Sequence, residues 1–484
     1  MQSFLDNLTS SLNTFSSFIW DYMLYILLVI GLWLTIRTGF VQFAKFGQAI
    51  KLVFGGFISG LKNLTGRKKE EKKTEGDVSA LTALATALAS TVGNGNIGGV
   101  ATALVMGGPG AIFWMWVCGF VGMATKYAEA LLAVHYREKY ADGKIAGGPM
   151  YYIINGFKNK KFARILAAVF AAGGVLATLF GTGLMMQSNQ MTLALRTQLG
   201  LGEIMGVSPQ VYIGIAITLL TGMVIIGGIK RIGSVADKIV PTMIIVFLGS
   251  GIIIIAMNIQ HLPEAFGLIF SSAFSPSAAM GGFAGAAVKM AMQMGFRRGL
   301  LSNEAGLGSA PIAHAAAQTP SPVHQGLIGT MEVFIDTILV CSMTALINLT
   351  SGIWTTGVNG TEMTALAFSH NIGFTGGLIV AFSSFLFGYS TLLGWYYYGE
   401  QCLRYLFKDS LTLPYKIIYV VLVFVGSVVS IDIVFIVGDI ANAFMALPNI
   451  IALFVLSGMV AKITKEFFEK YKTIEGFDSA QKAK

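Results

Sequence analysis

The chain has 484 residues, of which 54% are hydrophobic and only 12% charged, and its mean hydropathy is +0.69. Soluble domains carry about a quarter charged residues, so this composition excludes an ordinary soluble enzyme and indicates a polytopic membrane protein. The three cysteines, Cys118, Cys341 and Cys402, lie far apart in or near apolar segments. This spacing indicates neither a disulfide framework nor a metal site.

Apolar runs long enough to cross a bilayer recur along the whole chain. We predict an all-α polytopic membrane protein with about eleven transmembrane helices. The predicted spans cover residues 19–36, 79–105, 110–134, 163–187, 209–229, 238–259, 281–316, 326–349, 374–398, 415–431 and 436–461. The first run has no basic region before it, so we expect a retained span and no cleaved secretory signal.

The basic residues lie almost entirely on one side of these spans. Of the 33 lysines and arginines, 29 fall in the loops that share a face with the C-terminus. The net charge of +9 is therefore explained by membrane orientation, and we expect no nucleic-acid partner. The positive-inside rule predicts an N-terminus outside and a cytoplasmic C-terminus.

The second span is interrupted at its centre by residues 90–99, which contain four glycines and two asparagines. Each glycine inside a helix costs about 1 kcal/mol relative to alanine, so we predict a broken helix whose freed amides and carbonyls line a binding site. Two alternatives are weaker. Gly93-x-Gly95-x-x-Gly98 matches a dinucleotide fingerprint, but no βαβ unit surrounds it. Gly95-x-x-x-Gly99 fits close helix packing, but packing would not require the asparagines.

The seventh span shows a second interruption, predicted over residues 293–308. It contains Arg297, Arg298 and Glu304, which are costly at membrane depth unless they pair or face water. A soluble loop between two shorter spans is the alternative.

Spans two to six (78–260) and seven to eleven (261–461) form two sets of five, each opening with an interrupted member. This pattern predicts inverted repeats, preceded by an N-terminal unit over residues 1–77 and followed by a basic tail over residues 462–484.

Residues 1–77 combine the first span with an interfacial amphipathic segment to about residue 64 and a mixed-charge cytoplasmic loop. At the end of the third span, Lys126 and Glu129 are expected at the membrane interface.

Other polar residues in the spans are candidate ligands. Glu332 and Asp336 lie one turn apart on the eighth span. They could bind a cation, relay a proton or, as we favour, neutralise the two arginines. Gln187 is a candidate for a substrate path. The ninth span carries two hydroxyl pairs, 383–384 and 390–391, although serines in membrane helices commonly bond to their own backbone.

Several motifs together resemble the alanine or glycine:cation symporter family. They are VGNGNIGGVA at 92–101, GGPMYY at 147–152, RGLLSNEAGLGSAP at 298–311 and STLLGWYYYGE at 390–400. The resemblance implies the inverted-repeat fold of the bacterial leucine transporter with one additional span in front, in the cell membrane of a prokaryote. It also implies sodium-driven uptake of alanine or glycine by alternating access. Asn94 departs from the threonine of many members, which leaves the preferred amino acid open.

The resemblance also implies roles for individual residues. The substrate carboxylate would meet the amides around Asn94 and Gly95, near Asn96. Carbonyls from residues 290–293, including that of Gln293, would receive the ammonium group, Phe296 would cap the pocket and Gln187 would line it. Sodium would bind the carbonyls of Ala89 and Val92 and the hydroxyls of Ser390 and Thr391, with Ser383 and Ser384 as the alternative pair. Hard oxygen ligands suit such a cation.

Alternatives to sodium symport remain. A proton could replace sodium as coupling ion, or the protein could be an uncoupled permease. An intramembrane enzyme using Glu332, Asp336 or His314 is disfavoured, because no metal-ligand trio or nucleophile and base occur at a recognisable spacing. No cofactor is expected beyond the coupling ion, and the oligomeric state is not indicated.

Overall fold

The computed structural model describes residues 2–63, 75–181, 183–203, 206–274, 284–429 and 432–482. The start of predicted span seven (281–283), the end of span ten (430–431) and most of the mixed-charge loop lie outside these residues. The N-terminal unit contains helices α1 (Gln2–Arg37), α2 (Val41–Ala44) and α3 (Phe46–Asn63). Helix α3 occupies the segment that was predicted to be amphipathic and interfacial.

The first set of five spans is formed by helices α4 to α11. Their bounds are α4 (Ala80–Thr91), α5 (Gly98–Gly107), α6 (Gly110–His135), α7 (Pro149–Gly156), α8 (Lys160–Phe180), α9 (Met185–Gln198), α10 (Pro209–Ile225) and α11 (Gly228–Met257). Helices α4 and α5 are the halves of the predicted broken span, separated by one 3₁₀ turn at Asn94–Asn96. Span four, predicted as continuous, is divided into α8 and α9.

The second set follows the connecting helix α12 (Leu262–Phe274). It comprises α13 (Ala284–Asn303), α14 (Ala310–Ala315), α15 (Pro322–Val333), α16 (Ser342–Thr350), α17 (Gly360–Ile372), α18 (Phe374–Phe407), α19 (Thr412–Val428) and α20 (Asp432–Tyr471), and the C-terminal helix is α21 (Ile474–Lys482). Helices α15 and α16 are joined by a π-helical segment, Phe334–Cys341. The described residues therefore form an all-α membrane architecture with seven long apolar helices and several shorter ones.

The second interruption exists, but it lies later than predicted. Helix α13 runs without a break through residues 293–303, and the chain leaves the helix at Glu304, which has a left-handed backbone (φ 55°). Gly306 (φ 92°) and Gly308 (φ 85°) complete the break before α14 begins. The backbone of residues 290–293 is thus helical, and the prediction that these carbonyls are freed by a break was wrong.

The glycines that suggested the earlier break serve helix packing instead. A Cβ atom on Gly295 would lie 2.3 Å from the Ala111 carbonyl oxygen, and one on Gly299 would lie 3.1 Å from the Cys118 sulfur. These positions let α13 approach α6 closely, as small residues do between membrane helices.

The described part of the chain contains four short strands, which lie at the ends of helices. Strand β1 (Val78–Ser79) precedes α4 and pairs in parallel with β4 (Ala317–Gln318), which follows α14. Strands β2 (Glu138–Lys139) and β3 (Ile145–Ala146) form an antiparallel pair. The β1–β4 pair joins the beginning of one interrupted span to the end of the other, so the two interrupted spans run alongside each other in opposite directions.

Candidate functional site: a cavity between two interrupted helices

A cavity of about 730 Å³ lies beside the first interruption. Its lining comes from α4, α5, α9, α13, α17, α18 and α20. At one end it includes Thr197, Asn359 and Glu362, which are exposed, so the cavity reaches the protein surface there. At the other end it is lined by buried residues, including Ser90 and Thr391. The cavity thus extends from one surface to the middle of the protein.

The helix α4 ends at this cavity because its hydrogen bonds are diverted. In a continuing helix the Gly93 amide would donate to the Ala89 carbonyl, but here it donates to Oδ1 of Asn96 at 2.9 Å. The Asn94 amide likewise points to Oε1 of Gln187, at 3.5 Å. The last carbonyls of α4 are therefore released from their helical donors, as the sequence predicted for this segment.

The predicted substrate residues Asn94, Gly95 and Gln187 all line the cavity. Nδ2 of Asn94 donates to Oε1 of Gln187 at 3.1 Å, and the hydroxyl of Ser384 donates to Oδ1 of Asn94. Asn94 is therefore held between α9 and α18. Gly95 has open space beside its Cα atom, so its backbone is accessible to a solute.

Asn96 has a different position from its predicted neighbours. It is fully buried, and it is absent from the described residues that line the cavity. Its Nδ2 atom donates to Oδ1 of Asp336 at 2.6 Å, while Asp336 Oδ2 accepts from the hydroxyls of Ser302 and Thr337, each at 2.8 Å. Asp336 thus joins the first interruption to the end of α13, and Asn96 supports the break from behind.

The two hydroxyl pairs of α18 also separate. Thr391 lines the cavity, and its Oγ1 atom would lie 2.9 Å from a Cβ atom placed on Gly93. Ser390 lies on another side of the helix, where its hydroxyl contacts the sulfur of Met243. The hydroxyls of both residues donate to the Phe387 carbonyl, at 2.9 Å from Ser390 and 2.8 Å from Thr391. In the alternative pair, Ser384 binds Asn94, whereas the Ser383 hydroxyl has no hydrogen-bond partner within the described residues.

Ala89 and Val92 are fully buried at the end of α4. This end packs closely on α18, since a Cβ atom on Gly394 would lie 2.7 Å from that of Ser90. The predicted sodium carbonyls and the Thr391 hydroxyl therefore belong to two directly contacting segments.

Gln293 and Phe296 are not among the described lining residues. Phe296 instead packs edge-on against Trp114, with ring centroids 5.5 Å apart. It faces α6, so the structure does not bring it to the cavity as a cap.

Arg297, Arg298 and Glu304 line the cavity, but the predicted neutralisation of the arginines by Glu332 and Asp336 was wrong. Arg297 lies 3.6 Å from the carboxylate of Asp439 on α20. Glu332 pairs instead with Lys126 at 2.8 Å, and its second oxygen lies 3.0 Å from Nε2 of His314.

The interfacial positions predicted for Lys126 and Glu129 were also wrong, because both side chains are fully buried. Glu129 accepts hydrogen bonds from the amides of Gly306 and Gly308, each at 3.1 Å, and from Nδ2 of Asn449 at 2.7 Å. It therefore satisfies the backbone of the second interruption. The sequence alone could not assign this role, since these partners lie more than 170 residues away along the chain.

Two hydrogen bonds, which we call the floor of the cavity, lie at its buried end. The hydroxyls of Ser90 and Tyr398 are 2.6 Å apart, and the indole nitrogen of Trp395 donates to Oε1 of Glu304 at 3.0 Å. All four residues are buried. The cavity is open at one end and closed at the other, and the two interrupted helices meet at its closed end. This is the geometry of a carrier.

Residues 5–481 match the sodium:alanine symporter family. The chain belongs to this family. It is 44% identical to the sodium/alanine symporter AgcS of Methanococcus maripaludis over 465 residues, which are 95% of this chain and 97% of that protein. It is also 44% identical to an uncharacterized transporter of Haemophilus influenzae over 466 residues, covering 96% and 97% of the two chains.

Among solved structures, this symporter is similar to MhsT, crystallised with L-phenylalanine. The TM-score is 0.54 at 12% identity, and the match covers 81% of this chain and 98% of MhsT. This likeness confirms the predicted fold of the leucine-transporter type. As family members and relatives are transporters, the symporter is assigned to transport.

Proposed function

We propose that this symporter uses a sodium gradient to carry small neutral amino acids, alanine or glycine, into a prokaryotic cell. The observation that carries the proposal is the cavity at the junction of two interrupted helices, in a chain of the sodium:alanine symporter family. The name of the Methanococcus maripaludis relative, a sodium/alanine symporter, supports alanine as the first substrate to test.

The substrate carboxylate is proposed to bind the backbone at Asn94 and Gly95, where the chain turns from α4 to α5. Gly95 is open to the cavity, and amides at the start of α5 carry a partial positive charge that favours anions. Gln187 contributes by holding Asn94 from α9. Asn96 acts behind the site, through Asp336.

Sodium is proposed to bind between the end of α4 and α18, with the carbonyls of Ala89 and Val92 and the hydroxyl of Thr391. Oxygen atoms of this type are the ligands that hard cations require. Ser390 would have to turn from Met243 to join them, so Thr391 is the stronger member of the pair. The mechanism we propose is alternating access, in which sodium stabilises the arrangement of α4 and α18 that binds substrate.

The positive-inside rule supports an outward-facing state. It assigns the loop before α4 to the cytoplasm, and the cavity opens at the other end of the interrupted span, beside Asn359. The same rule supports an N-terminus outside, a cytoplasmic C-terminus and two inverted five-helix units.

The test is uptake of radiolabelled alanine into proteoliposomes that contain the purified protein. An inward sodium gradient is compared with an equal potassium gradient, and a pH gradient is imposed separately. We expect accumulation above equilibrium only with sodium. Accumulation driven by the pH gradient alone would identify a proton-coupled carrier, and equilibration without any gradient would identify an uncoupled permease; either result contradicts the proposal.

A further inference from the structure

Glu304 is a carboxylate that faces the cavity at the second interruption. Its side chain is 3% exposed and belongs to the cavity lining. Within the described residues, no lysine, arginine or histidine nitrogen lies within 4.0 Å of its carboxylate, although such pairs exist for Glu332 and Asp439. An ionisable group at membrane depth is costly unless it pairs or faces water, and it commonly marks an ion or substrate path.

Two neutral donors hold this carboxylate in place, and the buried Lys126, which pairs with Glu332, acts on it electrostatically from beyond 4.0 Å. The Trp395 indole donates to Oε1 at 3.0 Å, and the Ser309 hydroxyl donates to Oε2. Because an ionised carboxylate has about four acceptor positions, both oxygens can accept a further ligand. The left-handed backbone at Glu304 places the side chain across the break, with Ser309 at the start of α14.

Two helix C-termini lie near Glu304, and Arg297, which lines the same cavity, pairs with Asp439 and not with Glu304. Helices α4 and α13 both end at the interruptions, and helix C-termini carry a partial negative charge. Trp395 lies one turn after Thr391 on α18, and Thr391 lies against Gly93 at the end of α4. One carboxylate and the ends of two helices therefore surround the inner end of the same cavity.

We propose that the Glu304 carboxylate binds a monovalent cation at the inner end of the cavity. The cation is either sodium or the ammonium group of the transported amino acid, since both offer a single positive charge to an oxygen ligand. This proposal rests on the proposed function, which identifies sodium and an amino acid as the transported species. It adds a charged ligand that the sodium site at Ala89, Val92 and Thr391 does not contain.

The test compares Glu304→Gln with the wild type in lipid nanodiscs. Glutamine keeps the size of the side chain and an oxygen acceptor for Trp395, so it removes the charge and little else. Ligand-induced thermal stabilisation gives the half-saturating concentration first of sodium alone, with choline as replacement, and then of alanine at saturating sodium. Glu129→Gln is the matched control, because it removes another buried carboxylate at the same interruption that is absent from the described cavity lining.

We expect Glu304→Gln to raise one half-saturating concentration at least tenfold, while Glu129→Gln changes both less than threefold. A rise for sodium alone identifies sodium as the cation, and a rise for alanine with sodium unchanged identifies the ammonium group. Unchanged values for both ligands in a folded Glu304→Gln protein overturn the proposal. If that variant does not fold, Glu304→Asp withdraws the carboxylate by one methylene, and unchanged values there overturn it equally.

These outcomes are independent of the coupling test. Alanine uptake that ignores the sodium gradient would contradict sodium symport, yet the binding of a cation at Glu304 would still be measured here. Conversely, sodium-driven uptake by the wild type together with unchanged binding in Glu304→Gln would support sodium symport and overturn the proposed cation site at Glu304.

Discussion

Asn96 in the first interruption and Asp336 in the π-helical segment are joined by a hydrogen bond of 2.6 Å. Asn96 also accepts the amide of Gly93, and Asp336 also accepts the hydroxyl of Ser302 at the end of α13. The two residues thus connect the backbone of one interruption with the helix that leads to the other. A π-helical segment at this position is consistent with the frequent occurrence of such segments at functional sites.

Replacing Asp336 with asparagine should weaken this connection. All three side-chain donors around the carboxylate need an acceptor, and an amide nitrogen would face one of them without a bond. Leaving a buried donor unsatisfied costs about 1 to 3 kcal/mol, so we expect a lower melting temperature and reduced alanine uptake. Ser302→Ala, which removes one donor and leaves the carboxylate, should have the smaller effect. Equal melting temperatures for Asp336→Asn and the wild type would contradict this role.

Gly93→Ala should impair sodium binding. The new Cβ atom would lie 2.9 Å from Oγ1 of Thr391, which is too close, so the proposed sodium hydroxyl must shift. We expect a several-fold increase in the sodium concentration that gives half-maximal alanine uptake. Gly249→Ala in α11 is the control, because nothing lies within 4 Å of its Cβ position and Gly249 is absent from the described cavity lining. An identical sodium dependence of the two variants would argue against a sodium site at Thr391.

Lys126 and Glu332 should show strong energetic coupling. Both side chains are fully buried, and removing one partner of a buried ion pair typically costs about 3 to 5 kcal/mol. We expect Lys126→Met to destabilise the protein by that amount, and Glu332→Gln in the same chain to restore part of the loss. The free energies of unfolding of the two single variants and the double variant measure the coupling. Strictly additive losses would show that the pair is not coupled.

The predicted orientation can be tested by cysteine labelling in intact cells. Asn359 lies at the open end of the cavity, whereas Lys158 lies in the exposed turn between α7 and α8, which the positive-inside rule assigns to the cytoplasm. A membrane-impermeant maleimide should label Asn359→Cys and not Lys158→Cys. The three native cysteines are buried, so background labelling should be low. The reverse pattern would invert the topology.

The first interruption could be predicted from the sequence because its cause is local. Glycine and asparagine concentrated within residues 93–99 disfavour a helix wherever they occur. The second interruption was predicted too early because the sequence around Gly295, Arg297 and Arg298 is typical of a break. In the structure, Gly295 instead allows α13 to pack closely against α6. The actual break depends on Gly306 and Gly308, whose left-handed backbone is stabilised by Glu129 from a distant helix.

Charge pairing was the least predictable part of the site. Lys126 and Glu332 are 206 residues apart, so nothing in the local sequence of either residue identifies the other. Gln187, Asn94 and Thr391 were found as cavity residues because motifs and polar residues inside apolar spans marked them. Ser390 and Thr391 are adjacent in the sequence but lie on different sides of α18. Their positions in the chain therefore did not show which of the two hydroxyls faces the cavity.

The polar floor of the cavity has a consequence for the transition to the inward-facing state. When the pairs Ser90–Tyr398 and Glu304–Trp395 separate, water that enters from the closed side, which is the cytoplasm in the proposed orientation, can bond to each freed group at little net cost. If the closed end consisted of apolar side chains, its opening would instead expose those side chains to water. Water can therefore enter the pathway as these two hydrogen bonds break, which lowers the free-energy cost of opening the closed end of the cavity.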